Sequence, residues 1–355
     1  MSKRSFPPLC SFLPMLIVTV AAVAAVADAA TISPRVFLES LNYTPMGGSY
    51  SVIPVINDHM LDLSFHVDRL CFGFETLSGC RGSVDYSTLR THVIDAIYEA
   101  RILAESKPLM SIRSTAIVTV AMYRDNKNDK ISFSALYTPM NSSVYTSASS
   151  RPELVADVHY FQRRLPNVKD IRWPEDRKII ESRRKGDDID ESLLVSNNID
   201  FCEDAFTEGL ISNLFIMDKS YNILTCPSSF VLPGGMAKIV KNICHKYNIN
   251  VIDTPSSLRD LPNWRCAFLV SCSKPIRVLK GLYLPTTSSE TREGDCRNYY
   301  SLLEQSDERS DRIIRFIKQK LSHIFVDALE GKYSQHMYGA SWDPIVAEMK
   351  GQAVS

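Results

Sequence analysis

A glycine pair running into a helix, Leu232-Pro233-Gly234-Gly235-Met236-Ala237, is the first place where this sequence could do chemistry. Free backbone N–H groups at a helix start can hold a phosphate, and glycine lets the anion come close. Taken alone, the same run is a plain Pro-Gly-Gly turn. Ser271-Cys272-Ser273-Lys274 sets small polar groups straight after an apolar run, at a strand end where open α/β sheets place ligands. Glu208-Gly209 puts a carboxylate just before the apolar run 211–217, where it reads equally as a solvated turn residue. Lys169 offers an amine in a crowded charged segment with nothing else to single it out. Together the four suggest a site for an anionic, phosphate-bearing ligand. A metal site has little support, because none of the nine cysteines forms a C-x-x-C pair or a zinc spacing.

Strands and helices must carry these groups. The β-branched, apolar runs 50–56 (YSVIPVI), 115–122 (TAIVTVAM) and 131–137 (ISFSALY) read as strands, the last two joined by the polar turn 124–130. Residues 61–69 end in a helical segment, and Leu89, Val93, Ala96, Ile97, Ala100 and Leu103 recur at helical spacing. The Ser-rich stretch 141–152 marks a domain boundary. Beyond it, 157–162, 192–195, 211–217, 223–226, 251–253 and 266–271 read as strands, and 237–247 as a helix. The highly charged 163–190 reads as solvated helix and loop. Ile313, Ile314, Ile317, Leu321 and Ile324 put one apolar stripe on a late helix. Residues 331–355 carry no clear pattern and read as a tail.

The order of the segments is more specific than any one of them. Gly48 to Ile53 (GSYSVI) resembles the G-x-Y-E-x-I segment of class IV aminotransferases, and His66 to Leu70 (HVDRL) resembles that family's H-x-x-R-L. Val168-Lys169, followed by Trp173 and Arg177, is similar to the family's lysine segment. Glu208 to Phe215 (EGLISNLF) closely matches its signature E-G-x-x-S-N-L-F. Leu232-Pro233-Gly234 stands where the family has L-x-G-I-T-R, and 268–273 where it has F-x-T-G-T or F-x-T-S-S.

The resemblance implies a pyridoxal-phosphate enzyme, with roles assigned residue by residue. Lys169 would carry the cofactor through its amine and shuttle a proton. Glu208 would hydrogen-bond the pyridine nitrogen, and Arg69 would bind the phosphate as a fork-shaped guanidinium can. Backbone N–H groups of Gly235 and Met236, with Cys272 and Ser273, would complete the phosphate cup, and Tyr50 would line the substrate side. His66 reads as a packing or hydrogen-bonding residue. The resemblance also implies an α/β fold of type IV, with a smaller domain over 35–150, a larger cofactor-binding one over 151–325, and the cofactor between them. A homodimer follows too, with an amino acid and a 2-oxo acid as reactants.

Several positions depart from the family pattern. Ser51 replaces the glutamate, Pro54 stands where many branched-chain enzymes have arginine, Ala237 replaces the arginine of G-I-T-R with Lys238 adjacent, and Cys272 replaces Thr or Ser. The interval from Lys169 to Glu208 is long, through extra residues at 198–206 read as a turn. These departures leave the substrate open among branched-chain amino acids, D-amino acids and aminodeoxychorismate. A lyase-like member and a non-catalytic binding module remain the alternatives to transamination. Lys178 is the competing lysine, nearer the family's usual interval to Glu208.

Forty basic residues balance forty acidic ones, which argues against a nucleic-acid footprint. Residues 1–29 read as a signal peptide: Lys3 and Arg4, an apolar heart at 15–26, then Ala27-Asp28-Ala29 as a small-x-small cleavage site. The expectation is therefore the secretory pathway or a signal-dependent organelle. Sequons at Asn42 and Asn141 agree with that route, although Pro45 weakens the first. Cysteine spacing leaves disulfides undecided, with Cys71 and Cys80 the nearest pair.

Overall fold

Two sheets, packed against several hydrophobic cores, organise the chain. The computed structural model describes residues 19–20, 33–79, 82, 85–105, 115–146, 153–184, 188–197, 199, 202–285, 298–333 and 338–345. The first part runs β1 (Thr19–Val20), α1 (Pro34–Glu39), β2 (Tyr43–Ile56), β3 (His59–Leu61), α2 (Leu63–Ser78), α3 (Tyr86–Glu105), β4 (Thr115–Asp125), β5 (Ile131–Pro139) and α4 (Ser143–Thr146). The second runs β6 (Glu153–Tyr160), α5 (Trp173–Asp176), α6 (Lys178–Glu181), β7 (Glu191–Ser196), β8 (Ala205–Gly209), β9 (Asn213–Asp218), β10 (Ile223–Thr225), α7 (Gly235–Lys246) and β11 (Val251–Asp253). A 3-10 turn (Leu258–Asn263) leads into β12 (Trp264–Val270), β13 (Arg277–Leu284), β14 (Asn298–Ser301), α8 (Glu308–Leu329) and β15 (Trp342–Pro344).

The first sheet has the order β1-β5-β4-β2-β3-β15. Helices α2 and α3 turn Val67, Leu70, Phe74, Val93 and Ile97 onto Ile53, Val118, Val120 and Phe133 in one core. The close fit of α2 depends on Gly73, since a Cβ there would lie 2.7 Å from the Ser49 Cβ. Strand β3 pairs with β2 only at Val55 and Ile56. The rest of that edge of β2 is left for another partner, and the cavity described below is built on it.

The second sheet has the order β11-β10-β9-β12-β13-β6-β7-β8, and an added β8–β9 pairing closes six of its strands into a ring. Alternate residues decide the two faces. Leu214, Ile216, Ala267 and Leu269 turn into one core with Leu193, Val195 and Trp264. Their neighbours Phe215, Met217, Phe268 and Val270 pack in another with Met236, Val240 and Ile243 of α7 and Ile317, Leu321 and Phe325 of α8. These strands read as continuous apolar runs because both faces are covered.

Four readings are corrected. The described part of 163–190 is not solvated throughout: Arg163, Val168, Ile171, Trp173 and Ile180 are buried, Arg163 because Glu208 pairs its charge and Ile171, Trp173 and Ile180 because they pack inward, while Arg164, Lys178, Ile179 and Arg183 stay exposed. Glu208 lies inside a strand, β8, rather than in a turn before one, and the strand after the signature starts at Asn213, with Ile211 exposed. Ala205 and Phe206, read as part of a turn, also belong to β8, paired with Ser196 and Val195. The stretch 331–355 is more than a tail: β15 pairs with β3, and Ile345 is buried in the core of the first sheet. Register alone explains the last point, since a three-residue edge strand carries no periodicity to read. Within the expected leader, Thr19–Val20 lies parallel to Ser132 and Phe133 of β5. The rest of that leader, together with Lys185, Cys80 and Cys296, lies outside the described residues. Cys71, Cys202, Cys226, Cys244 and Cys272 are free thiols.

Candidate active site

The segment carrying Lys169 fills the open edge of β2. The Tyr50 N–H donates to the Lys169 carbonyl at 2.9 Å, and the Ile171 N–H to that of Gly48 at 3.0 Å. Gly48 is required at this junction, because a Cβ there would lie 2.5 Å from the Met122 carbonyl oxygen. These backbone bonds tie the lysine segment to the first sheet. They present Lys169 to a cavity of about 490 Å3 between the two sheets.

Every residue named from the sequence for the site lines that cavity: Tyr50, Arg69, Lys169, Glu208, Gly235, Met236, Cys272 and Ser273. The Lys169 amine sits 4.8 Å from the centroid of the Tyr50 ring. The residue is half-buried in the cavity wall. Burial, with Arg69 and Arg163 nearby and Cys272 and Glu208 opposing them, brings its pKa down from 10.5 to about 7. Lys178, by contrast, lies on the surface in ion pairs with Glu175 and Glu39. Lys274 does not line this cavity.

Arg69, one face in along α2, is buried and donates to the Pro233 carbonyl at 3.1 Å and to Ser51 Oγ at 2.5 Å. Its Nε has no partner. Ser51 therefore occupies the position of the family glutamate as an acceptor for this guanidinium. His66 Nδ1 lies 2.8 Å from the same hydroxyl. Burial and then the Arg69 charge hold its pKa well below the ordinary histidine value, so the imidazole is neutral. Lys238, adjacent to the replaced arginine position, turns away to Asp62 at 2.8 Å.

Helix α7 begins at Gly235 without a side-chain cap from Gly234, its N-cap residue. Gly234 cannot carry a side chain, since a Cβ would lie 2.0 Å from Asn213 Oδ1. Asn213 itself donates from Nδ2 to the Leu232 carbonyl at 2.8 Å. The Asn of the EGLISNLF signature thus buttresses the glycine turn, and the Glu of the same signature accepts the Leu232 N–H at 3.1 Å. One hairpin therefore fixes both ends of the site. Cys272 closes the cup: burial pushes its thiol up, against the pull of Arg69 and Lys169. Its carbonyl accepts from the Tyr145 hydroxyl at 2.7 Å.

Arg163 is the residue that the sequence reading missed. It is 8% exposed, donates to Glu208 Oε1 at 2.8 Å and to the Val168 carbonyl at 2.8 Å, and lies 4.6 Å above the Trp173 ring. It therefore couples the carboxylate to the residue preceding Lys169. The available signal was Val168, Ile171 and Trp173, large apolar residues that a solvated charged segment has no reason to carry. Arg35, also missed, and Arg177, named only as a landmark of the lysine segment, line the same cavity.

The sequence pattern of the amino-transferase class IV family matches residues 48–280. The fold is similar to that of the branched-chain amino acid aminotransferase of Escherichia coli, at 15% identity and a TM-score of 0.58, over 85% of this chain and 90% of that one. It is also similar to a putative 4-amino-4-deoxychorismate lyase of Legionella pneumophila, at 14% identity and 0.54, over 85% and 98%. A third similar structure is a branched-chain amino acid aminotransferase of T.th. with pyridoxamine 5'-phosphate, at 11% and 0.57, over 83% and 91%. At such identities the likeness is one of fold. No curated protein sequence matches the chain.

Proposed function

We propose, from the premise that the chain belongs to the class IV aminotransferase family, that it exchanges the amino group of a branched-chain-like amino acid with a 2-oxo acid. Class IV aminotransferases work with pyridoxal phosphate, and the residues present fit it. An unpartnered Arg69 Nε and an uncapped helix start suit a phosphate, a buried carboxylate suits a ring N–H, and a lysine amine suits an aldehyde. The convergence of Lys169, Glu208, Arg69 and the start of α7 on one cavity carries the reading.

In this proposal Arg69, the N–H groups of Gly235 and Met236, Cys272 and Ser273 hold the phosphate, Glu208 the ring nitrogen and Lys169 the aldehyde carbon. Bound there, pyridoxal phosphate supplies an electron sink for charge developing at the substrate Cα. Lys169, with its pKa near 7, is poised to take the Cα proton and return it. Arg163 holds Glu208 and the Val168 carbonyl in fixed relation, and neutral His66 keeps a second cation away from Arg69. The apolar walls at Val52, Ile117 and Met140 favour an aliphatic substrate side chain. A homodimer is part of the same proposal, as is entry into the secretory pathway or a signal-dependent organelle.

Borohydride reduction of the cofactor-loaded protein, followed by peptide mapping, tests the assignment. The pyridoxyl adduct is expected on Lys169. Lys169→Ala should lose the visible absorbance of the bound cofactor and all turnover, while Lys178→Ala keeps both. An adduct on another lysine sinks the assignment. A panel of amino donors and 2-oxo acids then separates amino exchange from a lyase-type elimination, which would yield no new amino acid.

A further inference from the structure

Helix α1 lies outside the stretch 48–280 matched by the family, yet it forms part of the cavity wall through Pro34, Arg35 and Leu38. Two ion pairs fasten it to the segment beyond Lys169: Arg35 to Glu181, and Glu39 to Lys178 at 3.0 Å. Glu181 is shared, since its other oxygen lies 3.1 Å from Nε of Arg177, a second cavity residue. Two guanidinium groups at the cavity thus divide one carboxylate. Neither is saturated: Arg35 Nε is buried without a hydrogen-bond partner, and Arg177 Nε meets Glu181 too obliquely to make a hydrogen bond. A guanidinium carries five N–H donors in a fork that matches a carboxylate. The remaining arginines of the cavity have other work, Arg163 on Glu208 and Val168, Arg69 on Ser51 and Pro233. Arg177 lines the cavity together with Tyr50, and its charge opposes the burial that raises the Tyr50 pKa. The face of that ring is 4.8 Å from the Lys169 amine.

We infer that Arg35 and Arg177 bind the carboxylate common to amino acid and 2-oxo acid, and that Glu181 is an internal anion with which this carboxylate competes. The inference rests on the transamination reading and adds a specificity element from outside the family segment. One carboxylate between two cations leaves a single positive charge, which matches a monoanionic substrate with an aliphatic side chain. Because Glu181 is the ion-pair partner of Arg35 among the described residues, substrate and Glu181 draw on the same donors, and Arg35 is released from α6 as substrate arrives while Glu39 keeps α1 tied to Lys178.

The test is calorimetric titration of the cofactor-loaded full chain with 4-methylpentanoate, a carboxylate with no amine or oxo group to react. Its neutral amide serves as the control. Arg35→Gln and Arg177→Gln are each expected to weaken carboxylate binding by about tenfold or more, as loss of a hydrogen bond to a charged group does. Amide binding should not change. Glu181→Gln is expected to tighten carboxylate binding several-fold, a sign that loss of structure cannot mimic. Carboxylate affinity unchanged in both arginine variants overturns the inference, and so does Glu181→Gln that binds no more tightly than the parent. If the arginine variants do not fold, the direction of the Glu181→Gln shift decides. The titration needs no turnover, so a parent that binds the carboxylate but exchanges no amino group faults the transamination reading and leaves this one standing.

Discussion

Replacing Arg163 by Met tests whether the cavity is held by a buried charge pair. The substitution removes donors at 2.8 Å to Glu208 and 2.8 Å to the Val168 carbonyl, and the stacking over Trp173. It strands the Glu208 carboxylate, which is 4% exposed, with the Leu232 N–H as its remaining described hydrogen bond. Breaking a buried pair by removing one partner costs about 3–5 kcal/mol. At about 1.3 °C per kcal/mol for a chain of 355 residues, Arg163→Met should lower Tm by about 4–7 °C. Thermal unfolding followed by circular dichroism, on cofactor-free protein so that ligand loss adds nothing, reads the shift. The double variant Arg163→Met/Glu208→Gln removes the stranded charge and should recover half or more of the loss, because unpaired burial rather than lost attraction dominates. A single variant within about 2 °C of the parent would refute the reasoning. So would a double variant that melts as low as the single one.

Three further outcomes are expected. The folded pKa of Lys169, about 7, lies below the 10.5 of the unfolded chain, so between these values the unfolded chain binds more protons and the parent gains stability as pH rises. Cofactor-free Lys169→Met should accordingly be more stable than the parent at neutral pH, with the difference closing toward pH 10.5, and denaturant melts in which the difference grows with pH contradict this. Arg69→Ala should weaken cofactor binding by about 1.5–3 kcal/mol, roughly 10–150-fold in Kd by equilibrium dialysis; an unchanged Kd takes Arg69 out of the phosphate site. N-terminal sequencing of protein from its native cells should begin near Ala30, and a cytosolic chain that starts at Met1 counts against the leader.

Much of the scaffold was legible because its signals are local. The runs 115–122 and 131–137 are β-branched and apolar, and they form β4 and β5. The stripe from Ile313 to Ile324 has helical spacing, and it forms α8. The signature EGLISNLF is legible for a similar reason: Glu208, Gly209, Ser212 and Asn213 sit in one hairpin, and their partners are set by that short turn and the glycine run it supports. The strand and helix patterns are enforced by neighbours within a few residues, while Asn213 and Glu208 of the signature also reach Leu232, 19 and 24 positions on.

What charge pairs with what was decided by tertiary structure alone. Residues 163–190 are rich in both signs, and composition assigns them to solvent; whether Arg163 is solvated or buried turns on Glu208, forty-five positions away in sequence and brought to it by the closed ring of strands. The free edge of β2 is equally invisible, because it exists only where β3 is short, and that vacancy is what admits Lys169. The same holds for β15, three residues that find β3, and for α1, whose Arg35 meets Glu181 across 146 positions. Periodicity records which face of an element is apolar. It carries no record of which distant group completes a hydrogen bond, and in this protein the site is made of such completions.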